Sequence, residues 1–340
     1  MDTRHRDVLI AVIREYVDSA EPVGSRSLAR KYFPTLSPAT IRNAMADLED
    51  LGYLAQPHTS AGRVPTDQAY RFYVDSFPPP PAAPKRASEP PPARASGTDG
   101  FMERMSAQLS ATTRMTGLLL APPLKNTTID RVELMPLEGD RALAVLVTDS
   151  GWVTARAITI EPPLAADEVR KIGRELSRRF GGRTVADILE MESSPADPLD
   201  ELHTRARAIT EQLVVILRGR SLYVSGAINM LDHPEFGNIE MTRALLRTFE
   251  QKERLADLMA SLAGDEGVRV TIGEENPYAD MRECTLITST YLYRDQVLGI
   301  LGVVGPRRLP YPEVISVVNE TARQITEALS RVRQDLYLPS

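Results

Sequence analysis

Apolar residues along the first 77 positions recur at helical spacing in separate blocks. Leu9, Val12, Ile13, Tyr16 and Val17 form one block, which predicts a helix ending before Glu21 and Pro22. A short second helix follows Gly24 and Ser25, with Leu28, Ala29 and Tyr32 on its inner side. A third begins at Ser37-Pro38, a helix cap followed by the residue best suited to a first helical position. Its apolar arc is Ile41, Ala44, Met45, Leu48 and Leu51, and Gly52 supplies the stop. The pattern then changes. "YLAQPH" and "RVPT" read as two short strands around the turn "TSAG". A fourth helix starts near Thr66 and Asp67, carrying Tyr70, Tyr73, Val74 and Phe77.

Beyond this block the pattern lapses. Residues 78–100, "PPPPAAPKRASEPPPARASGTDG", hold no aromatic or branched aliphatic side chain and read as a semi-extended linker. A helix is expected over 101–120. Three strand-like runs follow, "TIDRVELMPL", "RALAVLVTD" and "WVTARAITI", joined by turns at Gly139 and Gly151. Such an arrangement is an antiparallel meander. Helical patterns cover 165–180, 184–190 and 198–219, and Trp152 is the expected anchor of the meander. Further on, a strand is expected near 221–230 and a helix over 240–263. The runs "VRVTIG", "CTLITSTYLY" and "VLGILGVVG" predict three more strands, and a last helix covers 312–333.

Charge changes the reading of the third helix. Thr40, Arg42 and Asn43 occupy its first turns, while Asp47, Glu49 and Asp50 occupy its last. A helix that enters a DNA groove by its N-terminal end needs this order, because donors meet bases there and carboxylates stay away from phosphates. Ser37 and the open N–H groups of the first turn suit a phosphate. The segment from Ala55 to Thr66 has no acidic residue, although the chain carries a net charge of -6. Three helices and a basic ribbon make a winged helix-turn-helix. The candidate DNA-binding residues are Ser25, Arg26, Ser37, Thr40, Arg42, Asn43, His58, Thr59, Ser60, Gly62, Arg63 and Thr66. Gly62 is expected where a tight turn makes a close approach.

Other chemistry is sparse. The single cysteine, Cys284, permits no intrachain disulfide and reads as a small buried residue. The four histidines lack zinc spacing, and phosphate-loop, zincin and nucleophile-elbow motifs do not occur. Gly299, Gly302 and Gly305 fall in a strand context, and "GEENPYADM" reads as a plain acidic turn. Arg307 and Arg308 read as a basic turn, either solvated or against a partner. The N-terminus lacks the apolar core of a signal peptide, and no run is long enough to cross a membrane. A cytoplasmic, non-enzymatic protein without cofactor or metal is expected.

Three stretches resemble one known family: "RHRDVLIAVIREYVDSAEPVGSRSLARKY", "LSPATIRNAMADLEDLGYLAQPHTSAGRVPTDQAYRFYVD" and "YLYRDQVLGILGVVGPRRLPYPEVISVVNETA". The family is the heat-inducible transcription repressor HrcA, and the proline-rich insert departs from its pattern. The resemblance implies an α+β multidomain chain. Residues 1–77 would be the winged helix-turn-helix, 78–100 the linker, and 101–120 with 221–340 a GAF-like α/β domain. Residues 121–220 would be an inserted dimerising domain, a three-stranded antiparallel sheet flanked by helices. The implied function is repression of heat-shock (chaperone) operons by a homodimer on an inverted-repeat operator, with activity modulated by the GroE chaperonin. Two alternatives stand beside it: a metabolite-sensing regulator using the GAF-like pocket, and a chaperone-associated scaffold without specific DNA binding.

Overall fold

A computed structural model of the chain describes residues 1–58, 61–77, 97–121, 127–149, 153–193, 201–218, 221–262, 267–293 and 296–336. Thr59, Ser60, Trp152 and nearly all of the expected linker lie outside the described residues.

The N-terminal unit is α1 (Thr3–Ser19), α2 (Ser25–Lys31), α3 (Pro38–Asp50), β1 (Leu54–Ala55), β2 (Val64–Pro65) and α4 (Asp67–Asp75). Local chemistry sets each boundary. Asp2 caps α1 by accepting the His5 N–H at 2.8 Å, and Ala20 closes it in the left-handed region at φ 58°. Ser37 caps α3 by accepting the Thr40 N–H at 3.1 Å. The strands pair antiparallel, Leu54 with Pro65 and Ala55 with Val64. Val8, Leu9, Val12, Ile13, Leu28, Ile41, Met45 and Leu48 fill the core between them. Leu51 departs from the expected apolar arc and is 54% exposed. The helix has already ended there, and Gly52 at φ 81° turns the chain away from the face on which Leu48 sits.

The second unit opens with α5 (Gly97–Thr113), followed by β3 (Thr116–Leu120). The expected helix over 101–120 is therefore wrong in its last third. Arg114, at φ 57°, ends the helix, and all five residues of "TGLLL" are buried in a strand. A short, uninterrupted apolar run carries no periodicity that would separate the two. Gly117 lets α5 fold back across this strand, since a Cβ there would stand 2.5 Å from the Ser106 carbonyl.

The chain next forms β4 (Ile129–Pro136), β5 (Arg141–Thr148) and β6 (Val153–Thr159), then α6 (Ala166–Phe180), α7 (Val185–Ser193) and α8 (Glu201–Arg218). The three strands make an antiparallel sheet in the order β4-β5-β6, with Val132 opposite Leu146 and Leu146 opposite Thr154. Alternation along β5 buries Ala142, Ala144 and Leu146 in one core cluster with Val169, Ile172 and Leu176 of α6.

After β7 (Leu222–Ser225) come short 3-10 turns, then α9 (Ile239–Glu250) and α10 (Lys252–Leu262). The single helix expected over 240–263 is thus two, broken at Gln251, whose backbone (φ -80°, ψ 67°) leaves the helical region. The strand expected near 221–230 stops at Ser225, because Gly226 at φ 66° starts a 3-10 turn. The remaining elements are β8 (Val268–Ile272), β9 (Cys284–Tyr293), β10 (Gln296–Pro306) and α11 (Tyr311–Leu336). Five strands form one antiparallel sheet in the order β7-β3-β10-β9-β8. Leu119, Leu301 and Val303 face α5 and α11, while Leu118, Leu120, Ile300 and Val304 pack with α9 and α10. Since β3 and β7 are neighbours, residues 121–220 leave and re-enter this sheet between adjacent strands.

Candidate nucleic-acid interface

Helix α3 is held from behind by Ile41, Ala44, Met45 and Leu48, all buried. Its other side divides along its length. Arg42 and Asn43 are exposed, and their side chains have no hydrogen bond or ion pair among the described residues. Two of the three carboxylates of the last turns have partners within the unit, while Asp50 is exposed with no side-chain partner among the described residues. Asp47 Oδ2 lies 3.1 Å from His5 Nε2, and Glu49 Oε2 lies 2.7 Å from both Arg63 Nε and Arg63 Nη2. The helix thus presents open donors at its N-terminal half, and at its C-terminal half two partnered acids beside the exposed Asp50.

The first turn is more restricted than its sequence suggests. Pro38 has no N–H, Ser37 Oγ occupies the Thr40 N–H, and the Ile41 N–H bonds to Ser37 O at 3.2 Å. Ala39 keeps the open backbone donor of that turn. Ser37 Oγ and Thr40 Oγ1 stand 2.9 Å apart, with Ser37 exposed and Thr40 half-buried.

The other candidates fall into two groups. Arg26 and His58 are exposed; Ser25 is buried at the start of α2. Thr66 faces inward: its hydroxyl donates to Gly52 O at 2.7 Å and caps α4 by accepting from Ala69 N–H. Arg63 is bound twice. Its backbone exchanges two 2.9 Å bonds with Val23, and its guanidinium grips Glu49. A Cβ on Gly62 would stand 2.3 Å from the Val23 carbonyl oxygen, so glycine is what lets the ribbon lie against the segment before α2. Thr59 and Ser60, at the ribbon tip, lie outside the described residues.

His5 ties the start of α1 to α3 through Asp47 and Asp2, the latter at 2.7 Å. The Asp47 bond, then the Asp2 bond, raise the imidazole above its ordinary value. A raised folded-state pKa gives stability that is complete below about 6.5, the unfolded value, and is lost as pH rises through the folded pKa. The N-terminal unit is therefore expected to melt at a lower temperature as pH rises from 6 towards 8, roughly the range in which a histidine titrates. His5→Gln should flatten that slope in thermal unfolding scans; an unchanged slope would remove His5 as its source.

A second set of contacts joins this unit to the five-stranded body. Arg71 of α4 forks onto Glu275, Nε to Oε1 at 2.8 Å and Nη2 to Oε2 at 2.6 Å, and Nη2 also reaches Val270 O at 2.6 Å. Burial alone would push the Glu275 carboxyl up, but Arg71 and the Ile272 N–H outweigh it and hold it below its usual value. Asp67 accepts from Glu274 N–H at 3.1 Å and from Arg307 at 3.2 Å. Tyr70 and Tyr73 lie against Tyr311 at centroid distances of 5.7 and 6.5 Å. Arg308 pairs with Glu235 and donates to Val17 O, at the end of α1, at 2.6 Å. Both arginines of the basic turn are thus bound within the chain, with Arg307 still partly exposed. A cleft of about 500 Å³, lined by Tyr16, Asp67, Glu235, Arg307 and Arg308 among others, runs along this seam.

Sequence reasoning read α4 only for its apolar residues and missed this role. The usable signal was Asp67, Arg71 and Asp75 at four-residue intervals on a helix that already had a buried aromatic face. Elsewhere, Cys284 is buried, and burial, with a smaller push from Glu283, raises its thiol to about 12. Among the described residues no group of His, Cys, Asp and Glu could hold a metal ion, and no helix is long and apolar enough to cross a membrane.

Comparison with known proteins gives a consistent result. The family model described as the HrcA protein C terminal domain matches residues 99–315. A heat-inducible transcription repressor HrcA of Symbiobacterium thermophilum is 36% identical over 341 residues, covering 96% of this chain and 98% of the relative. The protein of the same name from Geobacter sulfurreducens is 38% identical over 334 residues, covering 96% and 97%. A crystal structure described as a hypothetical protein at 2.2 Å resolution superposes with a TM-score of 0.68 at 25% identity, covering 98% of this chain and 99% of that one.

Proposed function

The chain belongs to the HrcA family of heat-inducible transcription repressors, and from that premise we propose that it represses chaperone operons as a homodimer on an inverted-repeat operator. A repressor family is not an enzyme class. On this reading residues 1–77 are a winged helix-turn-helix whose α3 enters the major groove by its N-terminal end. Residues 101–120 and 221–340 are the GAF-like domain, and 121–220 the inserted dimerising domain. The protein works in the cytoplasm, and the GroE chaperonin modulates its DNA-binding form.

The observation that carries the reading is the division of α3. Arg42 and Asn43 point to solvent with unspent donors, whereas Asp47 and Glu49 are occupied by His5 and Arg63. Arginine and asparagine are the side chains that read guanine and adenine by paired hydrogen bonds in the major groove. Phosphate contacts fall to Arg26, Ser37, the Ala39 N–H and the ribbon tip with His58, Thr59 and Ser60. Ser25, Gly62, Arg63 and Thr66 serve the interface by placing the ribbon and α2. Arg63 in particular acts through Glu49 rather than as a loose cation.

A gel shift with the full chain tests this directly. The duplex is the inverted repeat upstream of the organism's own chaperonin operon, against a scrambled duplex at equal salt. The expected preference is about 10³-fold or more, and it should strengthen on adding GroE. Equal affinity for both duplexes would end the proposal.

A further inference from the structure

Two readers on one inverted repeat must stand at a fixed separation. A chain joined only through residues 78–96 would leave that separation loose, because a tether's effective concentration changes slowly with distance. We infer that the contact of α4 with the body, centred on Arg71–Glu275, fixes where each reader stands and thereby sets the half-site spacing the protein accepts. This rests on the proposed dimeric operator binding and adds the residues that determine its spacing.

Several contacts at separate places support the assignment. The Arg71 guanidinium is held at Glu275 by two bonds and at Val270 O by a third, which fixes its plane as well as its position. One turn earlier, Asp67 receives the Glu274 N–H and Arg307. Gly273, at φ 52°, permits that approach, since a Cβ would stand 1.9 Å from Asp67 Oδ2. Tyr311 packs between these polar points against Tyr70 and Tyr73. Along the same seam, Arg308 bonds to the carbonyl of Val17 near the end of α1. Body segments thus hold two different reader helices, so the unit can neither slide nor swivel without breaking ion pairs.

The hold reaches the DNA-facing elements through Thr66. This residue caps α4 and is bonded by side chain and backbone to Gly52 and Tyr53, which join α3 to the ribbon. An angular change in α4 therefore carries α3 and the ribbon with it. B-DNA turns once in about 10 base pairs, so inserting about 5 pairs between half-sites puts the second on the opposite face. Fixed readers reject that duplex, and loosened readers accept it.

The experiment uses the full chain and a duplex that the wild-type protein selects from a randomised pool, together with two derivatives. One has half a helical turn inserted between half-sites, and the other keeps a single half-site. Wild type is expected to lose about 10- to 100-fold on the inserted duplex, as a lost second contact demands. Arg71→Gln and, from the body side, Glu275→Gln should lose less than about 3-fold on insertion, with single-half-site affinity within about 2-fold of wild type. Arg71→Lys, which keeps a cation opposite Glu275 but not the fork, should recover part of the discrimination. Variants that discriminate as wild type does, or a wild type indifferent to the insertion, overturn the inference. So does an equal fall on the single half-site, which would place the contact in the reader's own fold. Failure of wild type to select any inverted repeat is a different result and strikes the proposed function itself.

Discussion

Replacing Arg42 with alanine lowers operator affinity by about 1–3 kcal/mol, roughly 5- to 150-fold, and relaxes preference at one base position. The size follows from geometry. Arg42 is exposed on the second turn of α3 and has no partner among the described residues. Its neighbours Ile41, Ala44 and Met45 hold the helix in place without it. Removing it therefore costs a contact and not the fold, so thermal unfolding should be unchanged. Arg42→Lys keeps a charge for phosphate but loses the paired donors that read guanine. It should recover non-specific affinity and not base preference. Titrations of a labelled operator and of its single-base variants read both effects, and wild-type affinity in Arg42→Ala would remove the residue from the reading surface.

Gly62→Ala is expected to have the largest effect on the N-terminal unit. The added methyl meets backbone atoms: Val23 O at 2.3 Å, Val23 C at 2.5 Å and Pro22 C at 2.8 Å. Backbone cannot swing aside as a flexible side chain can. The ribbon must lift, which breaks the two 2.9 Å bonds between Val23 and Arg63 and strains the Arg63–Glu49 pair. Overpacking of this kind costs about 1–3 kcal/mol, and each lost hydrogen bond adds about 1 kcal/mol. Calorimetry of the full chain should show the N-terminal unit melting earlier, with operator binding weakened at temperatures where it is still folded. A variant with wild-type melting and wild-type affinity would show that the close approach has no part in placing the ribbon.

The elements of the N-terminal unit were legible because their boundaries are local. Ser37-Pro38, Gly52 and the Thr66 cap are read from side-chain chemistry within three residues. What was lost depends on distant partners. "TGLLL" is a strand because β10 and β7 lie on either side of it, and nothing inside the five residues says so. The break at Gln251 interrupts a pattern that otherwise continues. Leu51 shows the limit of a helical wheel, which projects a face past the point where the helix ends.

The candidate site shows the same division. Composition singled out Arg26, Arg42 and Arg63 alike as cations, but only a partner 14 residues away distinguishes Arg63, which Glu49 holds. Arg71 and Arg307 needed contacts about 200 and 240 residues distant to acquire a role. Their charges were visible; the acids that meet them were not.

The most direct measurement places a photo-crosslinking side chain at Asn43, at His58, or at Arg170 on α6 as a control, and maps the cross-links on the operator duplex. With α3 in the groove and the ribbon beside it, Asn43 should label bases inside a half-site, His58 the flanking backbone, and Arg170 nothing. Labelling from Arg170 without labelling from Asn43 and His58 would contradict the account.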